Sequence, residues 1–362
     1  MNVCFFVGNI NLAGGTERVA SLIANELQAR GYRVYVLNLQ FGDSPFFKLS
    51  DDIKIGHLFS SAGRGVTRLP IAIKKIRDFV IKNEIDVFVS VESMLFLYAF
   101  SALLGLKVKH ICWEHFNYNV DLGKPVRRLA RKLAARFADN VITLTKRDRE
   151  LWLAHEKCKA DIITIPNPVT VTPALEINRE KRKIFLAIGR LTYQKGFDLL
   201  LQAWAKVSPL YPDWSLRIIG DGEDKSMLES IVRELNINGS VELLPTTDNV
   251  SEHYQETAFF IMSSRFEGFG LVLVEAQTYG NPVVSFDCDF GPKEIILNNE
   301  SGWLCEPNNI VELSEKIALA ISTYRTPAYD KLSVAARVNS DRFSVGNIIS
   351  SWVNILMKKN TR

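Results

Sequence analysis

Apolar and polar positions change period twice within the first forty residues. Val3–Val7 is an unbroken apolar run of the length of a buried strand. After a loop holding Gly14 and Gly15, the apolar positions Val19, Ile23, Ala24 and Leu27 recur at helical spacing. Thr16 stands where it can cap that helix and Gly31 where it can end it. Val34–Leu39 is the next apolar run. Strand, glycine loop, helix and strand in this order predict a βαβ unit and therefore a parallel sheet. Asp86–Val91, Lys109–Cys112 and Val141–Leu144 extend the pattern as further buried strands.

The rhythm breaks between Pro166 and Lys183. This stretch holds Pro166, Pro168 and Pro173 and ends in the charged run Arg179-Glu180-Lys181-Arg182-Lys183, as an exposed interdomain linker does. Beyond it the α/β alternation restarts. Ile184–Ile188, Leu216–Ile219, Val241–Leu244, Phe259–Met262 and Val283–Phe286 predict strands, and Phe197–Val207 a helix with Phe197, Leu200, Leu201 and Trp204 inward. The expectation is an α/β protein of two Rossmann-like, doubly wound domains, 1–170 and 171–345, facing across a cleft. A terminal helix in 346–362 is expected to cross back to the first domain. Ligands of open α/β sheets bind beyond the carboxyl ends of the strands, so the cleft is the expected site.

Composition narrows the class. The chain has 362 residues, 47% hydrophobic and 23% charged, which suits two globular domains and excludes a disordered or fibrous chain. No apolar segment has the length and purity of a membrane span; the run from Val87 to Leu106 is interrupted by Glu92. The apolar start, Met1–Ile10, lacks a preceding basic region and reads as a strand rather than a leader. Five scattered cysteines without paired spacing predict neither a disulfide framework nor a metal site, and they fit a reducing cytoplasm. A net charge of +4 gives no reason to expect a nucleic-acid partner.

Two segments carry candidate chemistry. Gly189-Arg190-Leu191-Thr192-Tyr193-Gln194-Lys195-Gly196 joins a strand to a helix. Arg190 and Lys195 there suit a diphosphate, one as a planar fork and the other as a point charge, although a solvated loop accommodates them equally well. In Phe266-Glu267-Gly268-Phe269-Gly270-Leu271, Glu267 opens a glycine-containing loop, and Leu271–Tyr279 then predicts a helix carrying Glu275. Carboxylates accept hydrogen bonds from sugar and ribose hydroxyls. Glu267 is also compatible with a helix-start carboxylate, and Glu275 with a surface or capping position.

The two glutamates, separated by seven residues, resemble the Glu-x7-Glu motif of retaining glycosyltransferases of the GT-B fold, and the Gly-Arg-x4-Lys-Gly loop lies upstream at the matching distance. Gly14-Gly15-Thr16-Glu17-Arg18 resembles the first-domain glycine loop of that group. Pro166-Asn167-Pro168 resembles its linker start and Gly220-Asp221-Gly222-Glu223 its glycine-aspartate turn. In this order and spacing, over nearly the whole chain, the motifs resemble glycosyltransferase family 4.

The resemblance implies roles. Arg190 and Lys195 hold the donor diphosphate and stabilise the leaving group, and Glu267 binds hydroxyls of the transferred sugar. Gly268, Phe269, Gly270 and Leu271 offer backbone contacts, Glu275 binds the ribose, and Gly14 and Gly15 admit the diphosphate. His115, which alone reads as a histidine packed at a strand end, resembles the family's active-site histidine. The implied set is thus His115, Arg190, Lys195 and Glu267 for catalysis, with acceptor residues unassigned. The implied donor is a nucleotide sugar, with uridine a family-level expectation, and no metal or cofactor. Asp287-Cys288-Asp289 resembles a metal-binding motif of another glycosyltransferase fold and is discounted here as a polar strand-end loop. Gly291-Pro292-Lys293-Glu294 resembles a donor-side loop of polysaccharide-assembling members. Pro245-Thr246-Thr247 departs from the family's glycine at that point, next to the expected base site.

The sequence from Lys124 to Asn140 is strongly basic. Leu129, Leu133 and Phe137 form a stripe, and Arg127, Arg128, Arg131, Lys132 and Arg136 surround it. Such a helix fits peripheral docking on an anionic membrane through 124–140, or a core-facing helix with a basic outer side. The combined expectation is transfer of a hexose or N-acetylhexosamine from a UDP-sugar to a polyprenyl-diphosphate-linked glycan of O-antigen, capsule or exopolysaccharide. The enzyme would act in the cytoplasm, peripherally on the inner membrane. An epimerase or hydrolase of the same fold, needing no acceptor, and a noncatalytic nucleotide-sugar-binding protein are the alternatives.

Overall fold

In the computed structural model the described residues are 1–358, apart from 43, 64, 122, 173–176 and 179 and the side chains of 65–67. Pro173, Arg179 and the tail 359–362 therefore lie outside the described residues. The chain forms two compact units, one of 1–170 with the segment from Val345 onward, and one of Val171–Ser344.

The first unit alternates β1 (Asn2–Val7), α1 (Gly15–Ala29), β2 (Arg33–Gln40), β3 (Lys54–Phe59), α2 (Gly65–Lys82), β4 (Val87–Val91), α3 (Ser93–Leu103), β5 (Lys109–Trp113), α4 (Val126–Phe137), β6 (Asn140–Thr143), α5 (Lys146–His155) and β7 (Asp161–Thr164). Its strands are all parallel in the order β3-β2-β1-β4-β5-β6-β7. Such a sheet needs cover on both faces, which is why β1 and β4 are largely apolar and β1, β4 and β5 are buried along almost their whole length.

The second unit contains β8 (Arg182–Ile188), α6 (Phe197–Val207), β9 (Ser215–Ile219), α7 (Lys225–Glu234), β10 (Val241–Leu244), α8 (Val250–Glu256), β11 (Thr257–Met262), α9 (Leu271–Thr278), β12 (Val283–Phe286), α10 (Pro292–Ile295), β13 (Gly302–Cys305), α11 (Ile310–Thr323) and α12 (Pro327–Ser340). Its parallel order, β10-β9-β8-β11-β12-β13, repeats the Rossmann pattern of the first. Phe197, Leu200, Leu201 and Trp204 face its core as their spacing predicts.

The last helix, α13 (Val345–Met357), packs into the first unit. The Trp352 ring lies 4.6 Å from Trp113 and 5.9 Å from Phe5. Lys109 Nζ donates to the carbonyl of Ile355 at 2.6 Å and to that of Lys358 at 2.8 Å. A cation on the last carbonyls of a helix satisfies them and opposes the helix dipole.

Three sequence-based expectations change. Thr16 does not cap α1: Gly14 is the cap residue, without a side-chain bond, and the Glu17 carboxylate folds back into the space that a Cβ on Gly14 would occupy. The charged run before β8 is not wholly solvated. Arg182 and Lys183 lie in the strand, and Lys181 is only 2% exposed. Its Nζ donates to the Tyr279 carbonyl at 2.8 Å and to Asn281 Oδ1, and burial lowers its pKa to about 7.

The third change concerns α4, which is turned over relative to a simple basic outer face. Arg127 (5% exposed) and Arg131 (2%) point inward with Ala130, Ala134 and Ala135, whereas Leu129 is 53% exposed and Val126 and Phe137 are exposed as well. The arginines go in because partners await them. Arg131 donates to the carbonyls of Tyr118, Asn117 and Val120 at 2.5, 3.1 and 2.7 Å and stands 3.7 Å from Glu114, while Arg127 bonds Glu92. Buried charge is tolerated only when paired and hydrogen-bonded in this way.

Candidate functional site

In the second unit the strand order reverses between the neighbours β8 and β11, which makes the space beyond their carboxyl ends a switch-point crevice. The two motif segments are the loops leaving these strands, and hydrogen bonds stitch them together. Arg265 N donates to Gln194 O at 2.8 Å, Gln194 Nε2 to Phe266 O at 3.0 Å and Ser263 Oγ to Lys195 O at 3.0 Å. Arg265 adds a bidentate pair with Asp198 at 2.8 and 2.6 Å. Gly196 has φ +61°, and a Cβ there would strike the carbonyl oxygen of Ser263, so the loops can close up only around glycine.

This stitching sets the functional pair. Lys195 Nζ lies 2.5 Å from Glu267 Oε1, and Ser264 Oγ donates to the same oxygen at 2.7 Å. Lys195 and Glu267 are far apart in sequence yet form one polar centre, both largely buried. Arg190 sits on the same loop but is exposed. Gly268, Phe269, Gly270 and Leu271 bring the chain from Glu267 into α9. Gly270 holds φ +89° as the cap of that helix, and Phe269 is buried against Phe343 at a centroid distance of 5.7 Å. Glu275 is neither a surface nor a capping residue. It is buried inside α9 and accepts from Tyr254 Oη at 3.0 Å. The departing Pro245–Thr247 loop is tied to the glycine-aspartate turn through Thr246 N and Asp221 Oδ2 at 2.9 Å.

In the first unit Gly14 and Gly15 open α1 after β1, and His115 follows β5. His115 is buried, its ring 4.5 Å from that of Trp113, and burial lowers its pKa to about 3. At neutral pH it is therefore an uncharged hydrogen-bonding group rather than a cation.

Around it stands a charged cluster that sequence reasoning did not assemble. Glu114 Oε1 accepts from the amides of His115 and Phe116, each at 3.1 Å, and Arg131 faces its other oxygen. Asp148 accepts from Tyr118 N at 2.7 Å, and burial pushes its pKa up to about 7. No periodicity signals these contacts; the presence of Glu114 and Glu92 at the ends of adjacent strands is the one sequence-level hint. A pocket of about 290 Å³ between α4 and α5, lined by Tyr118, Arg128, Arg131, Lys132, His155 and Glu156, contains none of the motif residues. No helix of the described residues is long and apolar enough to cross a membrane.

Comparison with known proteins gives the chemistry a family. Residues 13–172 match the model "Glycosyltransferase Family 4", and residues 174–338 match "Glycosyl transferases group 1". An uncharacterized glycosyltransferase of Haemophilus influenzae is 35% identical over 97% of this chain and 99% of its own length. The amylovoran biosynthesis glycosyltransferase AmsD of Erwinia amylovora is 28% identical over 97% of this chain and 98% of its own. Among solved structures, HepE of Anabaena in complex with UDP superposes with a TM-score of 0.82 at 20% identity, covering 98% of this chain and 99% of that one. That likeness shows the fold, and the full-length relative and the two family models show the rest: the chain belongs to glycosyltransferase family 4 and is a GT-B glycosyltransferase.

Proposed function

We propose that this glycosyltransferase takes a hexose or N-acetylhexosamine from a UDP-sugar and transfers it, with retention, to a lipid-linked glycan of a bacterial surface polysaccharide. The observation that carries the reading is the Lys195–Glu267 pair at the switch point of the second unit. A cation and a carboxylate held side by side suit a donor whose diphosphate is anionic and whose sugar offers hydroxyls. The UDP in the HepE complex and the polysaccharide role in the name of AmsD support the donor and pathway classes.

In this reading Lys195 and Arg190 stabilise the charge that develops on the departing diphosphate, which is the main electrostatic term. Glu267 binds hydroxyls of the moving sugar. The backbone of Gly268, Phe269, Gly270 and Leu271 contacts sugar or phosphate, and Glu275 takes the ribose. In the first unit, Gly14 and Gly15 give backbone access to the diphosphate, and neutral His115 hydrogen-bonds the transferred sugar. As the anomeric carbon's bond to phosphate breaks, its bond to the acceptor oxygen forms on the same face. The acceptor proton passes to the leaving phosphate oxygen. No metal is assigned a part.

The face of α4 supports a membrane-bound acceptor. Val126, Leu129 and Phe137 are exposed beside exposed Arg128, Lys132 and Arg136, the mixture of apolar and cationic groups that settles on anionic lipid. The enzyme then works peripherally, on the cytoplasmic face of the inner membrane. Incubation with a panel of nucleotide sugars, with and without membrane lipid extract, followed by mass spectrometry, tests the reading. Acceptor-dependent addition of one sugar to lipid is expected. Donor breakdown without any acceptor dependence would overturn it.

A further inference from the structure

The turn from β4 into α3 is made by a glutamate in a backbone conformation that belongs to glycine. Glu92 has φ 88° and ψ 152°, and its amide donates to Trp113 O at 2.7 Å. Residues held in this region persist where the surroundings over-determine them, and they gather at functional sites. The turn itself does not ask for a carboxylate: Glu92 is the cap residue of α3 and makes no side-chain capping bond.

Its place is specific. In the first unit the strand order reverses between β1 and β4, so Glu92 stands at the carboxyl end of a switch-point strand. Val91 pairs with Trp113 in the sheet, which sets Glu92 beside Glu114 and one position from His115. Arg127 Nη2 reaches Oε2 at 3.1 Å and covers the Phe116 ring at 4.2 Å. Burial pushes the Glu92 carboxyl pKa up, against the pull of Arg127 and with a further push from Glu114.

Next to this carboxylate, buried polar atoms lack hydrogen-bond partners among the described residues: Ser93 Oγ, one position on, and Nε and Nη1 of Arg127, whose Nη2 holds Glu92. Buried groups of this kind are ordinarily satisfied, so a set of donors and acceptors around one carboxylate calls for a ligand rich in hydroxyls. Glu92 and Glu114 are each paired with a guanidinium, Arg127 and Arg131, so the cluster carries no net charge and suits an uncharged ring of hydroxyls better than a diphosphate.

We propose that Glu92 is the acceptor-recognition residue of this enzyme: its free oxygen takes a hydrogen bond from the terminal sugar of the acceptor glycan and orients the hydroxyl that is glycosylated. The assignment rests on the transferase reading above and adds the acceptor-side residue that it lacks. Glu92→Gln keeps the shape, the backbone conformation and an oxygen for Arg127, but loses the charge. A charge-assisted bond is worth about tenfold to a hundredfold in affinity. Using the identified donor and a series of octyl hexosides and N-acetylhexosaminides as acceptors, Glu92→Gln raises the acceptor KM by about that factor. UDP affinity by calorimetry and slow donor hydrolysis stay at wild-type values, while the unfolding midpoint falls because buried Arg127 loses its counter-charge. Unchanged acceptor kinetics overturn the proposal, and so does a parallel loss of UDP affinity, which would make Glu92 a donor residue or a purely structural one. If the wild type transfers nothing, the transferase reading fails separately. Glu92 is then judged by saturation-transfer NMR of the same glycosides: loss of binding in Glu92→Gln upholds it, whereas equal binding, or none to either protein, overturns it.

Discussion

Lys195 Nζ and Glu267 Oε1 stand 2.5 Å apart although they leave different strands, and Ser264 Oγ shares the glutamate oxygen. The pair fixes the geometry of both loops before any ligand arrives. Lys195→Ala removes the cation from Glu267 Oε1 and leaves the Ser264 bond to that oxygen in place. We expect UDP affinity to fall by about tenfold or more and kcat/KM by roughly a hundredfold to a thousandfold, the scale of losing one preorganised charge contact. Glu267→Gln keeps a hydrogen-bonding group toward both partners, so UDP affinity holds and part of the activity survives. Calorimetry with UDP and turnover assays separate the two. UDP affinity unchanged in Lys195→Ala would remove the lysine from the diphosphate site.

Gly196 determines whether that pair can form at all. With φ at +61° and the Ser263 carbonyl in the place of a side chain, Gly196→Ala must push the two loops apart. A strained backbone of this kind costs about 1–3 kcal/mol. The expected outcome is a lowered unfolding midpoint together with weakened UDP binding, read by calorimetry on one sample. A variant that keeps full UDP affinity would show that the loops are not held by this contact.

How much of this was legible follows the geometry of the sheets. The central strands β1, β4, β8 and β11 announce themselves as apolar runs because both faces are covered. The strands that escaped notice, β3, β7 and β13, are sheet edges; two have only four residues, and β3 carries Lys54 and His57. The motif residues Lys195, Glu267 and Glu275 were visible by spacing, but their partners Ser264 and Tyr254 were not, since each bond joins segments that fold independently of local pattern. Helix α4 shows the limit most clearly. Its leucine stripe fitted either a membrane surface or the core; the inward face is arginine and alanine, because Glu92, Glu114 and three loop carbonyls supply a polar interior that no helical period encodes.

Lys181 gives stability a particular dependence on pH. Its pKa falls from 10.5 to about 7 in the folded chain because the ammonium is desolvated. Between those values the unfolded chain binds the proton and the folded chain does not. Stability contributed by this site therefore rises with pH from about 7 toward 10, and below 7 the buried charge carries its full penalty. Lys181→Met, similar in length and apolar, removes the titration. Midpoints of thermal unfolding measured from pH 6 to 10 should then climb less with pH in the variant than in the wild type. Parallel curves would mean that Lys181 keeps its ordinary pKa.

The exposed face of α4 yields the last prediction. Leu129 projects from the protein at 53% exposure, with Arg128 and Lys132 on its flanks also exposed, so all three can be changed without touching the buried Arg127 and Arg131. Each cation near an anionic surface contributes about 1 kcal/mol, which screening by salt removes. The wild type should float with phosphatidylglycerol vesicles at low salt and be released at high salt. Arg128→Glu with Lys132→Glu should abolish flotation while the unfolding midpoint stays within a degree or two, a tolerance typical of surface changes. Leu129→Ser should weaken flotation at every salt concentration, since it removes apolar rather than electrostatic contact. The two responses together identify a helix that lies in the interface; flotation that is indifferent to all three substitutions would assign membrane contact to another surface.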